Sequence, residues 1–314
     1  MTTLAVVFEE PTVLAFRPVT LAATTEDDVV VDVEWTGIST GTERLLYTGR
    51  MPHFPGLGYP LVPGYESVGR VIQAGRSSGR AEGDRVFVAG SRGFTDARGL
   101  FGGAASRLVV AGDRAHPISD TLAERGVLLA LAATAHHALV APGSALPDLI
   151  VGHGSLGRLL ARICLVLDPS HTVTVWETNP VRADGALGYA VVDPSTDERR
   201  DYRTIMDVSG DAGLIDSLIG RLVPGGELIL AGFYHDAISF AFPPAFLREL
   251  RMRVAAEWRP SDLAAVTAFA NTGQLSLDGL ITHRAPAADA VGAYATAFGD
   301  ATCVKMVLDW RTAV

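Results

Sequence analysis

The chain has 314 residues, 48% of them hydrophobic and 19% charged, a balance that fits two well-buried domains and excludes a disordered chain. A formal net charge of −9 with scattered basic residues excludes the clustered Lys/Arg surface needed to hold nucleic acid by its phosphates. Cys164 and Cys303 are the only cysteines, too few for a four-thiolate zinc site or a secreted disulfide framework, so the cytoplasm is the expected compartment.

The opening run Met1 to Glu10 has no basic n-region and reads as a strand rather than a signal peptide. Short β-branched runs follow at 29–35, 67–72, 85–88 and 107–110, separated by Gly, Pro and Asp, and predict an all-β unit to about residue 120. The uncharged stretch from Gly126 to Pro147 predicts a buried helix over 127–140, too short to span a bilayer. A mean hydropathy of +0.25 leaves room for an apolar ligand pocket or peripheral membrane contact, beside the plainer reading of an Ala/Val/Leu-rich core.

From Asp148 the period changes. Strand 148–151, helix 156–167 and strand 172–176 make a βαβ unit, and strand 204–208, helix 214–222, the turn Pro224-Gly-Gly226, strand 227–231, strand 253–257 and helix 261–271 continue it. The expected fold is α/β, with a doubly wound parallel sheet in residues 146–274 and a β-rich catalytic unit formed by 1–145 and 275–314, ending in the strand 304–310.

Gly152-His-Gly154-Ser155-Leu156-Gly157 lies between a strand and a helix, and Glu177 follows twenty residues beyond Gly157 at the end of the next strand. This is the context of a Rossmann dinucleotide site. The glycines serve the tight turn, the approach of a pyrophosphate and close helix packing, and the helix N-terminus offers N–H groups to phosphate. A carboxylate at Glu177 accepts hydrogen bonds from ribose hydroxyls and repels a 2′-phosphate, which favours NAD over NADP. Arg182, a few residues on, is either a solvated loop charge or a group that softens this preference.

The order of units, together with Gly37-Ile-Ser-Thr-Gly-Thr-Glu43, Pro63-Gly-Tyr-Glu66, Gly83-Asp-Arg-Val86 and Pro224-Gly-Gly226, resembles the medium-chain dehydrogenase/reductase superfamily over the whole chain. The resemblance implies a GroES-like catalytic unit beside the Rossmann unit. Where zinc members carry metal ligands, this chain has Thr40 (or Ser39 with the gap placed differently), Tyr65 and Ala130; Glu66 alone matches, and 91–103 lacks cysteine. Consecutive histidines such as His136 and His137 project about 100° apart on a helix and do not readily share an ion. A zinc-independent mechanism is therefore expected, with no metal site. Thr42, Tyr65 and Glu66 are the candidate catalytic groups, each with a structural alternative: a helix cap, a packing ring and a partner for arginine. The resemblance also places Thr134 against the nicotinamide and Lys305 near the pyrophosphate, and implies a homodimer joined by sheet edges.

Within that superfamily, the segments 37–46, 60–69, 129–138 and 239–246 resemble the bacteriochlorophyllide a dehydrogenases of photosynthetic bacteria. This implies NAD-dependent oxidation of the 3-(1-hydroxyethyl) group of a magnesium bacteriochlorin to 3-acetyl, in bacteriochlorophyll a biosynthesis. A macrocycle of that size calls for a wide apolar cleft, for which Tyr47, His53, Phe54 and Tyr59 are candidate lining residues and His53 a candidate axial ligand to the magnesium. The alternatives are a zinc-free quinone or enone reductase using NAD(P)H, and a non-catalytic dinucleotide-binding regulator.

Overall fold

A computed structural model describes residues 1–53 and 55–312. The chain divides into two compact units, Leu131–Leu280 and Met1–Ala130 joined by the C-terminal segment from Ile281. The boundaries fall outside those expected at 145/146 and 274/275. Contacts draw both flanks into the second unit: Arg253 donates to the Ala138 carbonyl at 2.9 Å, and Arg162 to the Ser276 and Asp278 carbonyls, each at 2.9 Å.

In the first unit, β1 (Thr2–Glu10), β2 (Val13–Thr20), β4 (Leu61–Val62) and β7 (Arg98–Gly99) form a sheet in the order β2-β1-β4-β7. The second sheet combines β3 (Asp28–Ile38), β5 (Ser67–Ala74), β6 (Arg85–Val88), β9 (Ala115–Pro117) and the late strands β16 (His283–Pro286) and β17 (Met306–Asp309). Its order is β16-β17-β3-β5-β6-β9, and β8 (Arg107–Ala111) also pairs with β3. The two-residue period of β3 explains its burial on both faces: Val29, Val31 and Val33 join the main core, while Val30 packs with Leu21 and Val109. This unit is not all-β. The six-residue helix α1 (Thr42–Tyr47) follows β3, started at Gly41, with the acid Glu43 in its first turn; the predicted pattern of strands left it out because it is under two turns long.

The second unit begins within α2 (Leu129–Leu139) and contains β10 (Leu149–Val151), α3 (Ser155–Leu167), β11 (Thr174–Trp176), α4 (Pro180–Ala183) and β12 (Ala190–Val192). It continues with β13 (Tyr202–Asp207), α5 (Ile215–Ile219), β14 (Leu222–Leu230), α6 (Phe242–Leu247), β15 (Arg251–Val254) and α7 (Pro260–Asn271). The first unit's last helix is α8 (Ala290–Gly299). Among the described residues the second unit's sheet is parallel throughout, in the order β12-β11-β10-β13-β14-β15. Strand order therefore reverses beside β10, so the carboxyl ends of β10 and β13 flank the crevice where doubly wound sheets take their ligands.

Several elements differ in detail from their predicted extents. The helix expected over 127–140 begins as a 3₁₀ stretch, Asp120–Leu128, before α2. The helix expected over 214–222 ends at Ile219, since Leu222 is recruited into β14. Pro224-Gly-Gly226 is a turn looped out within β14: Leu222 pairs with Tyr202 and Glu227 with Thr204, and Gly225 between them has φ +75°. The strand expected over 253–257 is Arg251–Val254. No helix among the described residues is long and apolar enough to cross a membrane.

The join between β10 and α3 is the tightest constraint near the crevice. A Cβ on Gly157 would stand 1.8 Å from the Gly152 carbonyl oxygen, a backbone atom that cannot swing aside, and Gly152 itself has φ +106°. Gly157→Ala is expected to push α3 off the sheet and destabilise the protein by about 1–3 kcal/mol, measured by urea denaturation against wild type.

Candidate active site

The glycine turn and the acid opposite it are built by adjacent parallel strands. Gly152 N–H donates to the Trp176 carbonyl at 2.9 Å, which ties the end of β10 to the end of β11. Glu177, the next residue, is half-buried, and its carboxylate accepts from the backbone N–H of His153 at 3.2 Å and of Asn179 at 2.8 Å. Gly154 caps α3, and a Cβ there would meet nothing within 4 Å, so this point of the turn faces open space. Ser155 and Leu156 occupy the first turn of α3, whose leading N–H groups lack carbonyl partners within the helix itself. The structure thus brings Gly152, Gly154, Ser155, Leu156, Gly157 and Glu177 together at one strand-to-helix turn.

His153, unremarkable in the sequence, locks this turn. Its side chain is fully buried, with Nδ1 2.7 Å from the Arg182 carbonyl and Nε2 2.8 Å from the Tyr189 hydroxyl. Burial lowers the imidazole's pKa, against the bond to Arg182. Arg158 adds bonds to the His153 carbonyl at 3.0 Å and the Arg182 carbonyl at 2.9 Å. The carbonyl of Arg182 is thereby engaged in holding the loop beside Glu177. At the end of β13, Asp207 is buried and accepts from the Ser209 N–H at 2.8 Å and the Tyr234 hydroxyl at 2.5 Å; burial raises its pKa. Its position at a strand's carboxyl end is the sequence signal that could have singled it out.

The second cluster lies at the end of β3, in the first unit. Strands β17 and β5 flank β3 and run antiparallel to it, so their starting ends both meet its final residues. Lys305 precedes β17 and Glu66 precedes β5. They consequently meet across the end of β3: Lys305 Nζ lies 2.8 and 2.7 Å from the two Glu66 carboxylate oxygens and 3.3 Å from the Ile38 carbonyl. Gly37 makes the space, since a Cβ there would stand 2.0 Å from Glu66 Oε2. Both charged residues are almost wholly buried. Burial raises the Glu66 carboxyl, and the neighbouring ammonium opposes that rise. The expected contact of Lys305 with a pyrophosphate is corrected accordingly: its charge is committed to Glu66 inside the first unit.

Beside this pair, Tyr65 is half-buried, its hydroxyl 2.5 Å from Ser39 Oγ and hydrogen-bonded to Thr42 as well, with its ring edge-on to Phe101 at 5.2 Å. The phenol is held above its ordinary range by burial and by the Glu66 charge. Ser39, rather than Thr40, is therefore the residue that faces Tyr65. Glu43, in the first turn of α1, is fully buried and accepts from the Ser39 N–H at 2.9 Å and the Tyr294 hydroxyl at 2.5 Å. Burial lifts its carboxyl to about 7 against those two bonds. Tyr294 comes from α8, and no local pattern in the sequence links it to Glu43.

The other expected site residues are scattered. Thr134 is half-buried in α2 of the second unit. Tyr47 is taken up by the first unit's core, its hydroxyl donating to the Thr12 carbonyl at 2.7 Å and its ring packing on Phe8 and Phe298. The Tyr59 hydroxyl donates to the Leu46 carbonyl. Both hydroxyls are thus engaged with backbone carbonyls of the first unit. His53 is exposed, and Phe54 lies outside the described residues.

Two measurements test these clusters. Lys305→Met leaves the Glu66 carboxylate buried without its partner and is expected to cost about 3–5 kcal/mol in urea denaturation, with most of the loss recovered when Glu66→Leu is added. For Glu43, a folded pKa raised from its ordinary 4.5 to about 7 means that the native state holds the extra proton between those values. Its stabilising contribution is complete below 4.5 and is lost as pH rises through 7. The stability difference between wild type and Glu43→Gln should therefore move against wild type across that window, read as melting temperature at successive pH values.

Comparison with known proteins agrees with this architecture. Residues 25–120 match the alcohol dehydrogenase GroES-like domain. The chain is 58% identical over 287 residues to 2-desacetyl-2-hydroxyethyl bacteriochlorophyllide A dehydrogenase of Rhodobacter capsulatus, covering 91% of each protein. It is 54% identical over 316 residues to the protein of the same name from Cereibacter sphaeroides, covering 99% of each. An Escherichia coli CFT073 alcohol dehydrogenase solved with NADH shares the fold with a TM-score of 0.83 at 18% identity, over 98% of this chain and 99% of the other. The doubly wound second unit, the GroES-like first unit and identity above one half over nearly the whole length establish that the chain belongs to the bacteriochlorophyllide a dehydrogenase family of the medium-chain dehydrogenase/reductase superfamily.

Proposed function

We propose that the protein oxidises the 3-(1-hydroxyethyl) side chain of a magnesium bacteriochlorophyllide to 3-acetyl, with NAD as hydride acceptor and without zinc. The observation that carries the chemical part is the hydroxyl cluster of Tyr65, Ser39 and Thr42 beside an acid already neutralised by Lys305. The names of the two close relatives supply the substrate.

The cofactor reading rests on the cradle. Gly152 and Gly154 leave room for a diphosphate at the N-terminus of α3, and Glu177, fixed by two backbone N–H groups, offers its carboxylate to ribose hydroxyls. A 2′-phosphate would meet that negative charge, which favours NAD over NADP. When bound, NAD accepts the hydride from the carbinol carbon.

The zinc reading rests on the donor set. Ser39 and Tyr65 offer neutral oxygens in place of thiolate and imidazole, and the Glu66 carboxylate is saturated by an ammonium, so these groups do not fit a tetrahedral zinc. The carbinol proton must leave by another route. With its pKa held high, the Tyr65 phenol stays neutral and works as a relay: it takes the carbinol proton as it passes its own to Ser39 or Thr42. Thr42, half-buried at the start of α1, passes a proton on to bulk water, which takes up the one proton the oxidation releases. The conjugated macrocycle stabilises the developing carbonyl, which eases the absence of a Lewis acid.

The test is turnover of 3-hydroxyethyl bacteriochlorophyllide with NAD or NADP, followed by the absorbance change as the acetyl group joins the conjugated ring, with metal analysis of the same active sample. NAD is the expected acceptor, zinc is expected well below one equivalent, and Tyr65→Phe is expected to lower kcat by about 10²–10⁴. Unchanged turnover in Tyr65→Phe would remove the relay, stoichiometric zinc the metal-free mechanism, and preference for NADP the role of Glu177.

A further inference from the structure

His136 and His137 are consecutive residues of α2, and the sequence argued that such a pair does not converge on one ion. In the structure they converge on one carboxylate. His136 Nδ1 lies 2.8 Å from Asp262 Oδ1 and His137 Nδ1 lies 2.9 Å from Asp262 Oδ2. Asp262 is buried in the first turn of α7, where it also accepts from the Arg259 N–H at 2.8 Å. Although burial raises its pKa, the bonds from Arg259 and the two imidazoles hold it below the usual carboxylate range. It is therefore an ionised acceptor, to which each ring directs Nδ1–H.

That tautomer leaves a lone pair on both Nε2 atoms. A carboxylate behind Nδ1 fixes the ring and raises the basicity of Nε2, which is how metal-ligating histidines are oriented. Because the two Nδ1 atoms meet at one carboxylate, the Nε2 atoms on the far side of each ring point away from the shared acid. Each is a single-point ligand. An ion with vacant positions to fill gains little from one such nitrogen, whereas magnesium already held in the plane of a macrocycle needs only one axial donor.

The two rings are not equivalent. His136 is 11% exposed and packs against Phe269 with ring centroids 6.1 Å apart, while His137 is 22% exposed and has no ring partner among the described residues. His137 also lies three residues beyond Thr134, so the two side chains share a face of α2 about one turn apart. Thr134 is the residue expected beside the nicotinamide, and in one macrocycle the hydroxyethyl carbon and the central ion are separated by a single pyrrole ring.

We infer that His137 Nε2 is the axial ligand to the substrate's magnesium, with Asp262 as its positioning residue. The inference deepens the substrate reading above and rests on it. Ligation at the metal fixes the macrocycle so that one rim substituent is presented to the cofactor, and it selects metal-bearing rings over metal-free ones.

The experiment uses the full chain, the magnesium substrate and its metal-free counterpart. His137→Asn keeps an amide donor for Asp262 and removes Nε2. It is expected to raise KM for the magnesium substrate about tenfold, with kcat within a factor of about three, and to leave KM for the metal-free ring unaltered. A second measurement needs no variant: wild type titrated with the magnesium macrocycle without NAD should shift the long-wavelength band as an axial nitrogen binds, and show no such shift with the metal-free ring. Equal KM increases on both rings would reduce the histidines to a clamp between α2 and α7 and overturn the inference. So would loss of selectivity in His53→Ala instead, or an unshifted band in the wild-type complex. If wild type oxidises neither ring with NAD or NADP, the proposed function fails, and the band shift alone then decides the ligation.

Discussion

The first unit is organised around a charge pair that water does not reach. Removing Lys305 and Glu66 from solvent costs several kcal/mol for each ion, and only close two-point contact inside a low-dielectric interior offsets it. The pair consequently demands that β17, from the far end of the chain, lie beside β3 in one register, with Met306 opposite Ile38. It also demands glycine at position 37, because any side chain there would occupy the carboxylate's place. One interaction thus links the return of the C-terminal segment to the geometry of the residues just after β3.

Those residues are the ones proposed to carry the chemistry. With Glu66 neutralised by an ammonium, the adjoining Tyr65, Ser39 and Thr42 form a chain of neutral hydroxyls, and Glu43 sits beneath them with its own buried hydrogen bonds. The ammonium of Lys305 is held by its partner, and in the proposed mechanism proton movement falls to the hydroxyls.

The second unit is organised by a different constraint, the tight glycine turn between β10 and α3 that is proposed to hold a diphosphate. Gly157 lets α3 dock on Gly152, Gly152 takes a left-handed conformation, and Glu177 is pinned by the N–H of the very turn it faces. His153, Arg158 and Tyr189 hold the neighbouring loop from below. The turn is accordingly held in place by the chain's own hydrogen bonds.

Features encoded by neighbours along the chain were legible directly. The strand–glycine–helix–strand pattern from Asp148 to Trp176 needs only local periodicity and φ > 0 at glycine, and it identified the βαβ unit and its glycine turn. The strands at 67–72, 85–88 and 107–110 were readable for the same reason, as runs of β-branched residues between turns. What the tertiary structure alone decided are the partnerships across long separations: Lys305 with Glu66 rather than with a phosphate, Tyr294 with Glu43, Ser39 rather than Thr40 with Tyr65, and both histidines with Asp262. Periodicity fixes which face a side chain takes, but the partner on that face depends on sheet order and register. Those are set by the packing of the whole chain, because a buried charge or hydroxyl settles wherever the fold supplies its complement.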